Sequence, residues 1–381
     1  MIRRIGWQRP GPPDFNLKAM RKVFILLIGT CIALSASAQQ RYLGGDLSML
    51  PSYEEAGTVY RDSAGKKVDP LTFLRQQGWN AVRVRLFVDP QFAKKEHQGE
   101  GVCQDLDYVI RLSRQVKKAD LALMLDFHYS DTWADPAKQF MPKRWKDAAP
   151  ETLPDSVYAY TRHCLQQMIA AGCTPDMIQV GNEITNGMMW EVGRVNAAGS
   201  EGFDVLSRLL KSGVRACREL CPKARLIIHT ERAGDWVVTK NFYEQMRRHQ
   251  VDYDIIGLSY YPMWHDRLPV LHNTLDSLAD LFPDKEVMIV ETAAYYSHER
   301  DIWSKGPDQY SEFYPITTEG QRLFTKELMS ELRKHKHVTG VFWWFPEENE
   351  SGRQVTNYWL NRGRFDNRTG CARHALYELK W

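Results

Sequence analysis

The chain has 381 residues, of which 43% are hydrophobic and 12% aromatic, and its 50 Lys and Arg against 47 Asp and Glu give a net charge of +3. This composition is that of an ordinary globular protein, which excludes a disordered or collagen-like chain.

The first 38 residues have the pattern of an export leader. Residues 20–22 are Met-Arg-Lys, the apolar run at 23–34 is too short to span a bilayer comfortably, and Ala36-Ser37-Ala38 is a signal-peptidase motif. We therefore predict a signal peptide over about 20–38 and an exported protein that is periplasmic, extracellular or on the cell surface. A membrane anchor and lipidation at Cys31 are the alternatives.

Removal of this leader changes the charge balance of the chain. Residues 1–38 hold six Lys or Arg and one Asp, so the remainder has 44 basic and 46 acidic residues and a net charge of −2. No basic stripe remains, which argues against nucleic acid as a partner. The six remaining cysteines include no C-x-x-C pair, so we predict neither a disulfide framework nor a zinc site.

Short apolar runs alternate with amphipathic stretches over 39–381. The runs predict strands at 42–47, 81–88, 121–127, 177–180, 225–229, 255–259, 287–290 and 338–344. The stretches predict helices at 106–118, 156–171, 202–220, 269–281, 318–334 and 372–379. No linker or repeat divides this region, so we predict a single-domain α/β fold, a (β/α)8 TIM barrel. A doubly wound open sheet is the alternative, but the first strand is not followed by a G-x-G-x-x-G turn.

Polar and aromatic residues lie at the ends of most predicted strands. In chain order they are Arg83 and Arg85, Asp126 and His128, Asn182 and Glu183, His229 and Glu231, Ser259 and Tyr261, Glu291, and Trp343 and Trp344. Each alone has an ordinary structural explanation, but core packing does not place so many ionisable groups at one rim, because unpaired buried charge is costly. Active sites of such barrels lie at the carboxyl ends of the strands, so we predict a site there.

Two glutamates, Glu183 and Glu291, end the fourth and seventh strands. A carboxyl pair is what glycosidic bond cleavage requires, because one group donates a proton to the leaving oxygen while the other attacks or activates water. A raised pKa keeps the first group protonated near neutrality. The pair therefore indicates a glycosidase that needs no metal for catalysis.

Neighbouring residues fit the same chemistry. Asn182 is a candidate for binding the sugar hydroxyl beside the reacting carbon, and Arg85 for holding the second carboxylate ionised. Tyr261 or His128 is a candidate for orienting the pair. Tryptophans offer flat apolar platforms for sugar rings.

At this point the sequence resembles the arabinogalactan endo-β-1,4-galactanases of glycoside hydrolase family 53, within the clan of retaining (β/α)8 glycosidases. The matching stretches are GDLS at 45–48, VRVRLFVDP at 82–90, DFHYSDTWADP at 126–136, GNEITNGMMW at 181–190, GLSYYP at 257–262 and ET at 291–292. They run in order over nearly the whole region after the leader, and DFHYSDTWADP is the most specific of them.

The resemblance implies a role for each matching residue. Glu183 corresponds to the general acid/base and Glu291 to the nucleophile, with carboxyl groups about 5–5.5 Å apart as in retaining enzymes. The residues implied to line the cleavage subsite are Arg85, His128, Asn182, Tyr261 and Trp344. Further candidates for substrate contact or support are Asp46, Asp126, Trp133, Trp190 and Trp236. The implied substrate is β-1,4-galactan, the galactose side chain of pectin.

Two features depart from the family pattern. The family's Tyr-Trp-Glu-Pro is replaced by Trp343-Trp344-Phe345-Pro346, so the glutamate is lost, although Glu347 and Glu348 follow. Bacterial relatives carry a calcium ion after the seventh strand. Here the loop at 293–317 offers Glu299, Asp301, Asp308 and Glu312. Their spacing is not that of an EF-hand, so a structural calcium ion stays an open alternative without support from the sequence.

Three functions remain open. The first is an endo-galactanase acting on a polysaccharide as a monomer, without an obligate protein partner. The second is another retaining barrel glycosidase, such as a mannanase, a xylanase or an exo-β-galactosidase, because fold does not fix substrate. The third is a non-catalytic glycan-binding protein, against which the presence of both glutamates argues.

Overall fold

A computed structural model describes residues 40–298 and 309–381, together with two isolated glycines at positions 6 and 11. The chain divides into two units, Met1–Gln40 and Arg41–Trp381. The predicted leader lies, apart from those two glycines, outside the described residues and stays a prediction. Within the described residues, no helix combines the length and apolar character that crossing a membrane requires.

Eight parallel strands close into a barrel in chain order, which confirms the predicted fold. They are β1 (Tyr42–Asp46), β2 (Ala81–Leu86), β3 (Ala122–Phe127), β4 (Met177–Val180), β5 (Arg225–Thr230), β6 (Ile255–Ser259), β7 (Glu286–Thr292) and β8 (Val338–Trp344). β1 pairs with both β2 and β8, so that Asp46 lies beside Arg83 on one side and Trp344 on the other. Closure leaves the strands without a free edge.

Helices connect the strands. The α-helices are α1 (Leu50–Glu55), α2 (Pro70–Gln76), α3 (Lys95–Gly99), α4 (Leu106–Lys118), α5 (Leu153–Ala170), α6 (Phe203–Leu220), α7 (Trp236–Arg248), α8 (Leu268–Leu281), α9 (Gln309–Phe313) and α10 (Thr318–Leu332). Short 3-10 helices lie at Pro90–Phe92, Lys143–Trp145, Pro150–Thr152, Ile184–Asn186 and His374–Glu378.

The prediction of a final helix at 372–379 was wrong in type. Only a 3-10 turn forms there, at His374–Glu378. The preceding residues are used for bridges to other segments, since Ala372 donates its N–H to Arg61 and Arg373 donates to Arg364. Too few residues remain for an α-helix.

Helix α7 was not predicted, although its start is marked in the sequence. The Asp235 side chain accepts a hydrogen bond from the Val238 N–H at 3.2 Å, which is an N-cap. Asp69 caps α2 in the same way, ahead of a proline at the first helical position. Both caps are the start signals that the apolar periodicity alone did not provide.

The barrel interior is layered. Its lower part is filled by the apolar side chains of Ala81, Met124, Met177, Ile227, Ile255, Met288, Val290 and Phe342. Side chains two residues further along a strand point the same way. Inward-facing positions therefore change from apolar to polar toward the carboxyl ends, as from Met124 to Asp126 and from Ile227 to His229. This change places the polar groups in one layer above a closed apolar floor.

Candidate active site

A cleft of about 470 Å³ opens at the carboxyl ends of the strands. Eight of the twelve predicted site residues line it: Arg85, His128, Trp133, Asn182, Glu183, Tyr261, Glu291 and Trp344. The structure thus brings both glutamates and most of the predicted substrate contacts to one place, at the rim where barrel enzymes carry their active sites.

A β-bulge in β7 directs Glu291 toward the cleft. Met288 and Val290 point into the barrel, so regular alternation would place the next residue outside. The pairing of β7 with β8 shifts register between Ile289 and Thr292, and Ser259 of β6 pairs with Glu291 after a second shift. Bulges re-aim side chains in this way next to active sites.

Glu291 is held by one cation and one hydroxyl. Its Oε1 lies 2.9 Å from Arg83 Nη2, and its Oε2 accepts a hydrogen bond of 2.8 Å from the Tyr261 hydroxyl. Burial raises the pKa of Glu291, while the Arg83 charge and the Tyr261 hydrogen bond act to lower it. Both interactions favour the ionised form, which is the form that a nucleophile requires.

Arg83, and not Arg85, is the cation beside Glu291. The prediction that Arg85 holds the second carboxylate was wrong, because the two arginines lie at different depths of the same strand face. Arg83 is 1% exposed and also contacts Asp46 and Asp126, each at 2.8 Å. Burial acts to lower the pKa of Arg83, but the three surrounding carboxylates raise it above its usual value.

Arg85 lies closer to the mouth of the cleft. Its Nη1 contacts Asp46 at 3.0 Å, and its guanidinium lies 4.5 Å from the centre of the Trp133 ring. Its Nε and Nη2 have no hydrogen-bond partner among the described residues. Arg85 therefore retains donors in the cleft, as a substrate contact requires.

Asp46 and Asp126 lie beneath the cleft and support its arginines. Burial acts to raise the pKa of Asp46, but Arg85 and Arg83 hold that pKa below its usual value. Asp126 Oδ2 contacts Arg83 and lies 2.9 Å from Nε2 of His128. His128 in turn accepts the Ala134 N–H at its Nδ1, at 3.1 Å, which fixes its ring.

Glu183 has a different environment. It follows β4 in the left-handed region at φ 49°, where the Gln139 amide donates to its carbonyl at 3.2 Å. Its Oε1 accepts a 2.6 Å hydrogen bond from the Ser259 hydroxyl. Burial, then the charges of Glu291 and Glu231, raise the pKa of Glu183 well above its usual value. No ion pair to Glu183 exists among the described residues, so its protonated form is favoured.

A neutral chain of side chains stands behind Glu183. Ser259 lies 2.9 Å from Nε2 of His229, whose Nδ1 lies 3.0 Å from the Asn182 carbonyl oxygen. Burial, then Arg83, lowers the pKa of His229 well below its usual value, so this histidine is uncharged. These three neutral side chains position Glu183 without providing a counter-charge.

Asn182 faces the cleft with a fixed amide. Its carbonyl oxygen accepts from Arg83 at 2.7 Å and from Gln179 at 2.9 Å, while its Nδ2 donates to the Ala134 carbonyl at 2.8 Å. The carbonyl is fully occupied, and one amide hydrogen remains for a ligand.

Aromatic rings form much of the cleft wall. Trp133 and Trp344 lie 6.3 Å apart, edge to face, and Trp359 packs 5.5 Å from Trp344. Two other predicted tryptophans are not among the residues that line the cleft. Trp190 donates its indole N–H to the Asn186 carbonyl, and Trp236 is the first residue of α7.

The two glutamates after β8 do not replace the lost family glutamate in the cleft. Glu347 accepts the Met49 N–H at 2.9 Å, and Glu348 accepts the N–H groups of Arg362 and Gly363. Burial raises the pKa of Glu347 to about 8 and that of Glu348 to about 7. Both glutamate side chains therefore accept hydrogen bonds from nearby backbone N–H groups. Of the acidic residues considered for calcium, all but Glu312 lie outside the described residues.

Several cleft residues were missed in the sequence. They include Arg83 and Glu231, which were named as strand-end residues but given no role, and Trp264, Tyr358, Trp359 and Arg362. The strand-end pattern marked Glu231, which directly follows β5, but assigned it no role. Burial raises its pKa to about 7, and its Oε2 accepts from Thr185 at 2.7 Å. The residues after position 345 follow the last strand in a long loop, where no periodicity marks them.

Comparison with known proteins agrees with this geometry. The family model for glycosyl hydrolase family 53 matches residues 42–377. An arabinogalactan endo-beta-1,4-galactanase of Cellvibrio japonicus is 34% identical, covering 84% of this chain and 86% of its own. An endo-beta-1,4-galactanase of Bacillus subtilis is 33% identical over 80% of this chain and 69% of its own.

A solved structure supports the same assignment. The family 53 catalytic domain of Ignisphaera aggregans superposes with a TM-score of 0.81 at 28% identity, covering 91% of this chain and 97% of that domain. The family match begins at the first strand of the barrel and ends beyond the last one, so it includes the strand-end residues. The chain therefore belongs to glycosyl hydrolase family 53.

Proposed function

We propose that this chain is an endo-β-1,4-galactanase, which hydrolyses the galactan side chains of pectin with retention of configuration. The observation that carries the proposal is the unequal environment of two glutamates in one cleft: Glu291 contacts a cation, and Glu183 contacts neutral groups. The relatives from Cellvibrio and Bacillus, both named as endo-galactanases, support the substrate.

The two glutamates act in two steps. Glu291 attacks the anomeric carbon while Glu183 gives its proton to the glycosidic oxygen, which releases the leaving chain and forms a galactosyl ester on Glu291. Glu183, now ionised, takes a proton from water, and the resulting hydroxide attacks the anomeric carbon. The bond to Glu291 breaks, so the carboxylate of Glu291 and the proton of Glu183 are restored.

The cleft walls fit a sugar chain. Trp133 and Trp344 offer apolar ring faces, and Arg85 has two guanidinium nitrogens without a hydrogen-bond partner among the described residues. Asn182 has one amide hydrogen for the hydroxyl beside the reacting carbon. These contacts with the sugar chain hold the glycosidic bond that is cleaved between the carboxyl groups of Glu183 and Glu291.

Substrate class is tested by product sizing on linear β-1,4-galactan, with mannan and xylan as controls. We expect short galacto-oligosaccharides early in the reaction and from galactan alone. Galactose as the first product would indicate an exo-galactosidase, and release from mannan or xylan instead would overturn the substrate. No release from any glycan would support the non-catalytic alternative.

Catalytic roles are tested by two variants and a proton NMR assay. We expect Glu291→Ala to abolish turnover, and Glu183→Ala to retain activity on activated aryl galactosides, whose leaving groups need little protonation. The matched control is Glu96→Ala, an exposed glutamate at the rim of the same cleft. The β-anomer should form first; the α-anomer as first product, or an active Glu291→Ala enzyme, would refute the mechanism.

We further propose export and a monomeric state. The support for export is the basic, apolar and Ala-x-Ala pattern of residues 20–38. Amino-terminal sequencing of the protein from its host should begin at Gln39, and size-exclusion chromatography should give one chain. An intact leader would contradict the export proposal.

A further inference from the structure

Two histidines and a glutamate cluster on the outside of the barrel, away from the cleft. His272 lies on α8, Glu331 on α10, and His335 in the turn that leads into β8. His272 Nδ1 lies 2.7 Å and His335 Nε2 lies 3.1 Å from the same oxygen, Oε1 of Glu331. One donor atom from each of the three side chains lies within 4.8 Å of the other two.

A second carboxylate backs both histidine rings. Asp276, one turn after His272 on α8, has Oδ2 3.2 Å from His272 Nε2 and Oδ1 3.0 Å from His335 Nδ1. Each ring is thus placed between two carboxylates, with Glu331 on one side and Asp276 on the other. Metal-binding histidines characteristically donate their second ring N–H to a carboxylate in this way.

Two neutral histidine rings have too few N–H groups to donate a hydrogen bond in all four of these contacts with carboxylates. A neutral imidazole carries one N–H, so one nitrogen of each ring presents a lone pair to a carboxylate oxygen. If the N–H groups point to Asp276, the lone pairs of His272 and His335 converge with Oε1 of Glu331. Three electron-pair donors directed at one point attract a cation.

We propose that His272, Glu331 and His335 bind a divalent transition-metal ion of the Zn²⁺ type, with Asp276 orienting both histidines. Two imidazole nitrogens and one carboxylate oxygen are a known zinc ligand set, which leaves a fourth position for water. The site is open on one side, because His272 is 40% exposed while His335 is 2% exposed.

The surroundings of Glu331 fit a ligand role. Its side chain is largely buried, and its two carboxylate oxygens face different groups. Lys334 contacts Oε2 at 2.7 Å, which leaves Oε1 toward the histidines. The ion would link α8 to the turn before β8, and it is independent of the galactanase proposal.

The cysteine spacing predicted no zinc site, and it carries no information on a site made of histidines and carboxylates. The four side chains form two i,i+4 pairs, His272 with Asp276 and Glu331 with His335, about sixty residues apart. The first pair alone is an ordinary helix-surface pair, and the second spans the carboxyl end of α10. Only the packing of α8 against α10 brings them together.

Calorimetric titration of the chelator-treated protein with Zn²⁺ tests the site, together with the visible absorption of bound Co²⁺. We expect one saturable ion per chain and an unfolding temperature that rises with Zn²⁺. His272→Ala and Glu331→Gln should each weaken binding at least about 100-fold, and Asp276→Asn about 10- to 100-fold. His163→Ala, a substitution on the exposed face of α5, should bind as wild type.

The controls separate a metal site from an ion-pair network. His335 is buried, so the partly exposed His272 carries the test if His335→Ala does not fold. Zn²⁺ binding that is unchanged in His272→Ala, or no saturable binding to the wild type, would overturn the proposal. In the second case the cluster is a hydrogen-bonded network that holds no metal.

Discussion

Arg83 is the residue on which the buried charge balance of the site depends. Its guanidinium contacts the carboxylates of Asp46, Asp126 and Glu291 at 2.8, 2.8 and 2.9 Å. Arg83→Met keeps most of the side-chain volume and removes the charge. Asp46 would retain one cation, Arg85, whereas Asp126 and Glu291 would lose their arginine contact.

The expected cost follows from burial. Breaking a buried ion pair by removing one partner typically costs about 3–5 kcal/mol, because the remaining charge is uncompensated. Arg83 is 1% exposed, so solvent screening does not reduce this value. Arg85→Met should cost less, because Asp46 is the only carboxylate that Arg85 contacts among the described residues, and Arg83 contacts it as well.

The pH dependence of this cost has a definite sign. The arginines lower the folded-state pKa of Asp46, so its contribution to stability is present above its unfolded-state pKa and is lost as the pH falls through the folded value. Without Arg83 the pKa values of Asp46 and Glu291 rise, so these carboxylates take up protons at mildly acidic pH. Protonation removes the free-energy cost of burying a charge without its cation. The destabilisation of Arg83→Met should therefore be largest near neutrality and smaller at mildly acidic pH.

Urea unfolding at both pH values, with Arg85→Met as the matched control, measures this difference. The reasoning fails if Arg83→Met lies within about 1 kcal/mol of wild type near neutrality, where at least about 3 kcal/mol is expected. It also fails if Arg85→Met is the more damaging change, or if acid does not reduce the loss.

Two further variants should move opposite sides of the pH profile of kcat/KM. Tyr261→Phe removes a hydrogen bond that lowers the pKa of Glu291, so the acid side of the profile should shift to higher pH. A hydrogen bond to a charged group is worth about 1.5–3 kcal/mol, so kcat/KM on the acid side should fall roughly 10- to 150-fold. Ser259→Ala removes a hydrogen bond that lowers the pKa of Glu183, so the alkaline side of the profile should shift to higher pH. Glu231→Gln is the control of opposite sign: it removes a negative charge that raises the pKa of Glu183, so the alkaline side should shift to lower pH. Unshifted profiles, or shifts on the exchanged sides, would contradict the assigned roles.

The barrel could be predicted because its strands are short apolar runs between amphipathic helices. β4, β6 and β8 have the predicted bounds, and the others differ by one or more residues at their ends. Helix starts were less visible where the signal is a cap, as at Asp235, and not an apolar stripe. The last predicted helix failed because tertiary bridges at Ala372 use its first residues.

The site was predicted as a set of strand ends, but its contacts were not. Arg83 and Arg85 share one face of β2, and only the stagger of the closed barrel decides which lies level with Glu291. The bulge that turns Glu291 inward leaves no mark in the sequence. Trp190 and Trp236 fit an aromatic sugar platform by residue type, but their positions in the fold lie outside the set that lines the cleft.

The proposed roles, acid/base for Glu183 and nucleophile for Glu291, follow from the groups that contact each side chain and not from the dipeptides that contain them. Asn182-Glu183 and Glu291-Thr292 are equally short signals. Glu291 shares a guanidinium with two aspartates, so its negative charge is partly compensated; its pKa is raised above the usual value, whereas that of Glu183 is raised well above it. Exchange of the two roles would require the carboxyl group beside Arg83 to keep its proton while the one beside neutral Ser259 and His229 lost it.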